Sequence, residues 1–323
     1  MSQFTVYSSA DSGAPTLNGL TGSLLTVLDA CLVTGYGSKT GAGWIKPMPN
    51  TGSYGAITQG SGSGYSLFIS DIGSGSAGGL EAILTGWDSI TSIQNGLTTG
   101  SNQFPTYVQS GFGQGGVIAR KSNVTSSASR NWFIFADSST LYGFVATLDV
   151  TGTYFAFGFG DFYSIKSGSS DTGKCMIVGR GLANSPSNAA ERFQILTGLS
   201  SAAGSHFAAH TYTGLGGSIT IGKHGDGVKG STSVFAGTTQ YLNGPDGGHY
   251  ISPVWVHENS TSTIRGRMRG LYQPLHAITN YTDQTVLSGS NDFPGVVLQV
   301  VKFGGSSADN VYLIDISNNL ETN

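Results

Sequence analysis

The chain is short of charged side chains. Lysine, arginine, aspartate and glutamate make up 10 % of its 323 residues, where about 25 % is usual in globular domains. The formal net charge of −3 excludes a general electrostatic attraction to nucleic acid or to an anionic membrane. Hydrophobic residues still account for 38 % of the chain and aromatic residues for 11 %, which excludes disorder through low hydrophobicity. We therefore expect a folded protein whose weakly charged surface is covered by neighbours.

Cysteine, proline and long apolar runs are also scarce. Cys31 and Cys175 have no metal-binding spacing, so they are predicted to be buried thiols, with a disulfide between them as the alternative. The nine prolines are too few for collagen, and no apolar run approaches the roughly 18 residues of a membrane span. The first residues lack the basic and apolar regions of a signal peptide, so we expect the chain to fold in the cytoplasm where it is made.

Glycine, by contrast, is abundant, with 50 residues. It lies with serine, asparagine and aspartate between short segments rich in valine, isoleucine, phenylalanine, tyrosine and threonine, a pattern typical of strands joined by turns. The sequence predicts an all-β protein, built as one or two antiparallel β-sandwiches with long glycine-rich loops. We treat residues 1–323 as one structural unit, with two lobes, about 1–197 and 198–323, as the alternative. The stretch 85–101 has mixed periodicity and is assigned to neither strand nor helix.

One segment near the N-terminus, about 21–34, is predicted to be the one short helix. Apolar residues recur at helical spacing between Leu24 and Leu32. Thr21 or Ser23 is expected to cap the first amides of this helix, and the glycines that follow are expected to end it.

Motifs for catalysis, a cofactor or a metal ion are weak. Glycines in 111–116 match G-x-G-x-x-G only superficially, because they precede a strand instead of opening a helix. His206 and His210 are four residues apart, but no carboxylate within their segment completes a metal site. Glycoside hydrolysis needs two carboxylates close together, and the sequence shows no local pairing. The acidic residues near predicted strand ends are Asp137, Asp149, Asp161, Glu258 and Asp315. We therefore predict no catalytic residues, no cofactor and no metal.

Three arginines form the main basic feature. Arg265, Arg267 and Arg269 alternate with Gly266 and Met268, so on a strand they point to one side. Arginine is favoured at protein interfaces because its planar group pairs with carboxylates through two hydrogen bonds. We predict contacts with a neighbouring subunit, with ion pairs inside the chain and nucleic-acid binding as alternatives.

The segment 222–230 is the most polar loop, punctuated by glycine. Lys223, His224 and Asp226 give it a basic, a titratable and an acidic group within four positions. A carboxylate can orient an imidazole for proton transfer, but no nucleophile lies beside it. We interpret these three residues as candidates for an ordered interface loop or a loop that contacts an anion, with simple turn chemistry as the alternative.

Short motifs over nearly the whole chain point to one family. They lie at 6–15, 22–25, 28–33, 35–39, 43–44, 120–122, 157–162, 222–230, 247–258 and 265–270. Through them the chain resembles a family of uncharacterised virion-associated structural proteins of tailed bacteriophages and proteobacterial prophages. The resemblance implies a structural role in the virion, and it supplies no catalytic residues.

The composition and the resemblance together predict a virion protein that contacts copies of itself and other virion proteins. The tail, neck, baseplate or a fibre adaptor is the expected position, and decoration of the capsid is the alternative. A third interpretation is a module that binds host surface polysaccharide by stacking sugars on Trp87 or Trp255, if these tryptophans are not in the core. We predict neither nucleic-acid binding nor membrane insertion.

Overall fold

The computed structural model describes residues 3–72, 80–94, 96–106, 115–122, 124–146, 154–166, 171–180, 204–214, 219–224, 251–258, 263–274, 282–289, 294–302 and 311–320. The protein is mostly β with one short helical segment, which confirms the predicted all-β class. Among the described residues, none of the helical segments has the length and hydropathy to cross a membrane.

The strands and the helix follow one another along the chain in this order: β1 (Thr5–Ser8), α1 (Ser23–Asp29), a π-helical turn (Ala30–Thr34), β2 (Tyr54–Thr58), β3 (Ser66–Ser70), β4 (Glu81–Gln94), β5 (Leu97–Phe104), β6 (Val117–Arg120), β7 (Trp132–Ala136), β8 (Thr140–Ala146), β9 (Tyr154–Asp161), β10 (Tyr163–Ser164), β11 (Cys175–Arg180), β12 (Gly204–Ala208), β13 (Ile219–His224), β14 (Ile251–Glu258), β15 (Thr263–Pro274), β16 (Val286–Ser288), β17 (Val297–Lys302) and β18 (Val311–Asp315).

Two antiparallel sheets contain these strands. The first runs β2-β3-β4-β6-β11-β9-β8-β7-β1 and curls into a half-barrel, with β5 beside β4 and β12 beside β11. The second runs β13-β14-β15-β18-β17-β16, and the short β10 pairs with β15. Strands β12 and β13 pair with each other and so join the two sheets.

The first sheet is covered on both faces. On one face, α1 contributes Leu24 and Leu28 to an apolar cluster that also contains Ile134 and Phe159 of the first sheet. The opposite face of β7, β8, β9 and β11 packs against the second sheet in another cluster, in which Tyr142 meets side chains of β14, β15 and β18. Helix, half-barrel and second sheet therefore form three layers. Because both faces of the first sheet are covered, β9 and β11 are buried along their whole length, and they are apolar except for Asp161 and Arg180 at their ends.

The predicted helix is confirmed, and its predicted cap is wrong. Residues 23–34 are helical, with the last turn of π type. Neither Thr21 nor Ser23 caps the first amides; instead the Asp71 carboxylate accepts hydrogen bonds from the backbone N–H of Leu24 and Leu25. The cap is tertiary, because Asp71 lies just after β3, far from α1 in sequence.

Both cysteines are free and fully buried in the same apolar cluster, which confirms the prediction of buried thiols. Burial raises the pKa of the Cys31 thiol and of the Cys175 thiol well above the usual value.

We expect both thiols to be inert to a thiol-specific reagent in the native protein, because reaction needs an accessible thiolate. Titration with the reagent before and after denaturation checks this. Two equivalents should react only after unfolding, and rapid labelling of the native chain would contradict the buried placement.

Candidate functional site

The three arginines of β15 have three different environments. Arg265 is fully buried and all of its donor directions are used. Its Nε and Nη2 lie 3.2 and 3.0 Å from the two carboxylate oxygens of Asp171, and its Nη1 lies 2.9 Å from Glu258 Oε1. The carbonyl oxygens of His210 and Gly173 accept its remaining hydrogen bonds. The predicted subunit contact is therefore wrong for Arg265, and the alternative of ion pairs inside the chain holds.

Arg269 is also turned inward. Its Nη2 lies 2.7 Å from Asp137 Oδ2, its Nη1 donates to Ser139 Oγ, and only 8 % of the residue is exposed. Its guanidinium carbon lies 5.6 Å from the ring centre of Tyr163. The interface prediction is wrong for Arg269 for the same reason as for Arg265, since a buried, paired guanidinium is not available to a neighbour.

Arg267 differs from both. It is half-buried, and within the described residues it makes no salt bridge and no side-chain hydrogen bond. Its guanidinium carbon lies 5.4 Å from the ring centre of Tyr163. Arg267 is paired in register with Tyr163 on β10 and with Trp255 on β14.

Register partners in an antiparallel pair present their side chains on the same face of the sheet. Tyr163, Arg267 and Trp255 therefore form a row across three strands, which we call the aromatic–arginine row. Each of the three is partly exposed. Gly266 allows β10 to approach, because a Cβ at that position would lie 2.0 Å from the Tyr163 carbonyl oxygen.

The candidate interface loop is only partly described. Lys223 and His224 belong to β13, where Lys223 is opposite Val256 and His224 is opposite Trp255. His224 thus occupies the next register position beyond the aromatic–arginine row. Asp226 lies outside the described residues.

Trp87 is not a surface platform. It is 8 % exposed and packs with Ala56, Phe68 and Ile93, so the prediction of glycan stacking on Trp87 is wrong. Its indole Nε1 has no hydrogen-bond partner in the described part of the chain. Trp255, by contrast, is only half-buried.

A hollow of about 240 Å³ adjoins the aromatic–arginine row. Tyr163 belongs to both; we call this space the Tyr163 hollow. The other residues that line it are Ser61, Gly62, Ser139, Asp161, Phe162, Lys174 and Arg269. A second hollow, of about 370 Å³, shares Gly62 and Lys174 with the first.

The carboxylates around the two hollows connect distant segments. Asp161 accepts 3.0 Å hydrogen bonds from Gln59 Nε2 and from Ser63 N and Oγ, and burial raises the pKa of Asp161. Burial also acts to raise the pKa of Asp171, but the hydrogen bonds and charge of Arg265 outweigh it and hold the pKa below its usual value. Both carboxylates thus crosslink the fold.

His206 is on β12, whereas His210 lies beyond the end of this strand. His210 Nε2 lies 2.9 Å from Asp88 Oδ2, and Asn102 donates to Asp88 Oδ1 over 2.9 Å. Among the described residues, no group of three or more histidine, cysteine or acidic side chains is placed to hold a metal ion.

No protein-family model matches the chain, and no curated protein matches it either. Sequence reasoning found Arg267 and Trp255 separately, and it missed Tyr163. The only signal for Tyr163 was its place in an aromatic segment, since its pairing with a strand about 100 positions later leaves no local pattern.

Proposed function

We propose that the protein is a structural component of a tailed-phage virion, in the tail, neck, baseplate or a fibre adaptor, with capsid decoration as the alternative position. The observation that carries this proposal is the placement of charge. Eight of the fifteen lysines and arginines form ion pairs within the described chain: Lys39, Lys46, Arg120, Lys121, Lys174, Arg180, Arg265 and Arg269. The chain has few charged side chains, and many of them pair with each other inside the chain. Such a chain has a surface suited to contact with other proteins, because charged residues are depleted at interface cores.

One element is well shaped for such contacts. Beyond Trp87 and Gln103, β4 and β5 continue as a two-stranded hairpin, residues 88–94 and 96–102, which we call the ribbon. Within the described residues, no other strand pairs with either edge of the ribbon. Hydroxyl pairs cross it, including Ser89 with Ser101 at 2.8 Å and Ser92 with Thr99 at 2.7 Å.

The ribbon lacks the usual protection of free strand edges. Natural edge strands carry lysine or proline to prevent pairing with other chains, and residues 89–94 and 96–101 contain neither. A two-stranded hairpin is marginal on its own in water. An edge of this kind is favourable for pairing with a neighbouring subunit.

The virion proposal is tested by mass spectrometry of purified particles from a strain that encodes the chain. We expect the chain in the particles, at a copy number that matches the rotational symmetry of the tail or head. Its absence from the particles, or a trace amount unrelated to any symmetry, would refute the proposal.

Thr99→Lys is expected to reduce incorporation into particles with little effect on folding, because it puts a charge on an exposed ribbon position. The free energy of unfolding should change by no more than about 1 kcal/mol, because the position is exposed and the substitution removes only the hydroxyl contacts of Thr99 across the ribbon. Thr26→Lys, at an exposed position of α1, is the matched control. Equal incorporation of the two variants would show that the ribbon is not a contact.

A second candidate function, binding of host surface glycan, is supported by Trp255. Trp255 is partly exposed, and it lies beside Arg267 and two strands away from Tyr163. Exposed aromatic rings with a few polar neighbours are typical of ligand sites. The isolated chain should then bind glycan saturably, and Trp255→Ala should weaken that binding.

A further inference from the structure

We propose that the aromatic–arginine row and the Tyr163 hollow form a binding site for an acidic saccharide, one whose sugar rings carry carboxylate groups. This inference rests on the glycan-binding candidate function and names its ligand class. It is independent of the assembly role, because a virion protein with or without such a site would still make subunit contacts.

The arginine determines the charge of the ligand. A guanidinium presents a planar set of donors that matches the two oxygens of a carboxylate. Arg265 and Arg269 already have carboxylate partners inside the chain, whereas Arg267 is partly exposed and has none in the described residues. Its neighbours across the sheet on both sides are aromatic, so a carboxylate bound there would meet no acidic side chain within the row.

The two rings determine the rest of the ligand. Tyr163 and Trp255 lie on opposite sides of Arg267, one strand away in each direction, or about 4.8 Å. A pyranose ring has an apolar face of C–H groups and, in a uronic acid, a carboxylate at its edge. Such a ring can pack on an aromatic side chain while its carboxylate reaches the guanidinium. A single aspartate or glutamate of a protein partner would use the arginine and would leave the rings without a matching surface.

The Tyr163 hollow supplies hydrogen bonds for a further sugar unit. Ser61, Ser139 and Lys174 line it together with Asp161, so its lining includes hydroxyl and ammonium donors as well as carboxylate and hydroxyl acceptors, both of which sugar hydroxyl groups can use. Its volume of about 240 Å³ is below the roughly 300–1,000 Å³ of typical ligand pockets, which suits one sugar ring better than a larger group. Since Tyr163 lines the hollow and also contacts Arg267, a chain of sugars can continue from one to the other.

The test uses the full chain and isothermal titration calorimetry with three probes at low salt. The first is an oligomer of galacturonate, the second is the same oligomer with its carboxylates methyl-esterified, and the third is an oligomer of glutamate. We expect saturable binding of the first and at least about tenfold weaker binding of the second, because a hydrogen-bonded ion pair with a guanidinium is lost.

Substitutions locate the site. Arg267→Gln and Trp255→Ala should each weaken binding of the galacturonate oligomer about tenfold or more, and Arg267→Lys should fall between Arg267→Gln and the unchanged chain. Trp87→Phe is the matched control, because Trp87 is buried in another cluster, and it should bind normally. We expect these variants to keep the melting temperature of the unchanged chain, because Arg267 and Trp255 are only half-buried. An unchanged melting temperature shows that a variant folds.

Each outcome decides a separate point. If the galacturonate oligomer and its methyl ester bind equally tightly, and binding depends on Trp255 but not on Arg267, the proposal of an acidic ligand is overturned. Binding of glycan as such would then still stand. Binding of none of the saccharides at millimolar concentration would overturn both. Equally tight, Arg267-dependent binding of the glutamate oligomer would show that the row receives a protein carboxylate, which would also overturn the saccharide assignment.

Discussion

Replacement of Asp71 with alanine is expected to lower the free energy of unfolding by about 3–5 kcal/mol, the usual cost of removing one partner of a buried ion pair. Asp71 and Lys121 are both fully buried and bonded to each other. Burial raises the pKa of Asp71 and lowers the pKa of Lys121, so each charge depends on the other for its stabilisation. The same carboxylate caps α1 through the N–H groups of Leu24 and Leu25, and the cap would be lost as well.

Chemical denaturation of the purified variant measures this effect, and a second lysine–aspartate pair provides the matched control. Lys46 Nζ lies 2.5 Å from Asp29 Oδ2, but these side chains keep 26 % and 19 % of their surface exposed. Asp29→Ala should therefore cost about 1 kcal/mol or less. The double variant Asp71→Leu/Lys121→Met should be more stable than Asp71→Ala, because it leaves no buried charge without a partner. Similar losses for Asp71→Ala and Asp29→Ala would contradict this assignment.

The tertiary cap illustrates what the sequence could not predict. The spacing of apolar residues from Leu24 to Leu32 was sufficient to place the helix, because that signal is local. The group that satisfies its first amides comes from Asp71, and the partner of Asp71 comes from Lys121, about 50 positions further on. Such contacts depend on how the sheets close, and nothing in either segment encodes them locally.

Glycine was only partly understood from the sequence. Many glycines occupy turns between strands, as expected, but others lie inside strands where an aromatic ring covers them. A Cβ at Gly143 on β8 would lie 2.2 Å from the Phe157 ring of β9. The glycine excess therefore also reflects phenylalanine rings that pack closely over glycines on neighbouring strands. Strand propensities miss this role, because they count a glycine inside a strand as unfavourable.

The stretch 85–101 resisted assignment for a physical reason. Periodicity detects strands that bury one face in regular alternation. In the ribbon Ser89, Thr91 and Gly100 are exposed, Ile93 is buried in the same cluster as Trp87, and a register irregularity between Ile90 and Ser92 interrupts the alternation. Conversely, the alternation of Arg265, Arg267 and Arg269 correctly indicated a strand, and it predicted all three arginines on one side of that strand. Alternation carries no information on what covers that side, and this is why two of the three were wrongly expected at the surface.

Arg265→Met is the other substitution with a large expected effect, a loss of about 3–5 kcal/mol at pH 7. It keeps much of the side-chain volume while removing the guanidinium, so Asp171 and Glu258 remain buried without their shared partner. The pKa of Asp171 is below its usual value in the native chain. Its stabilising contribution is therefore present above the unfolded value of about 3.9 and is lost as the pH falls through the lower, folded pKa.

Without Arg265, only the hydrogen bonds from Ser164 and the Gly173 N–H oppose the effect of burial on Asp171, so its pKa should rise and protonation should relieve the buried charge. The stability difference between Arg265→Met and the unchanged chain is thus expected to be largest near pH 7 and to shrink towards about pH 4. Urea denaturation at several pH values measures this stability difference.

Arg267→Met, the same change two positions along the strand, is the control. It should cost about 1 kcal/mol or less, since Arg267 is only half-buried and has no ion pair among the described residues. If the free energy of unfolding lost in Arg265→Met did not depend on pH, its cause would be lost packing. The ion pairs of Arg265 would then not be what joins β15 to Asp171.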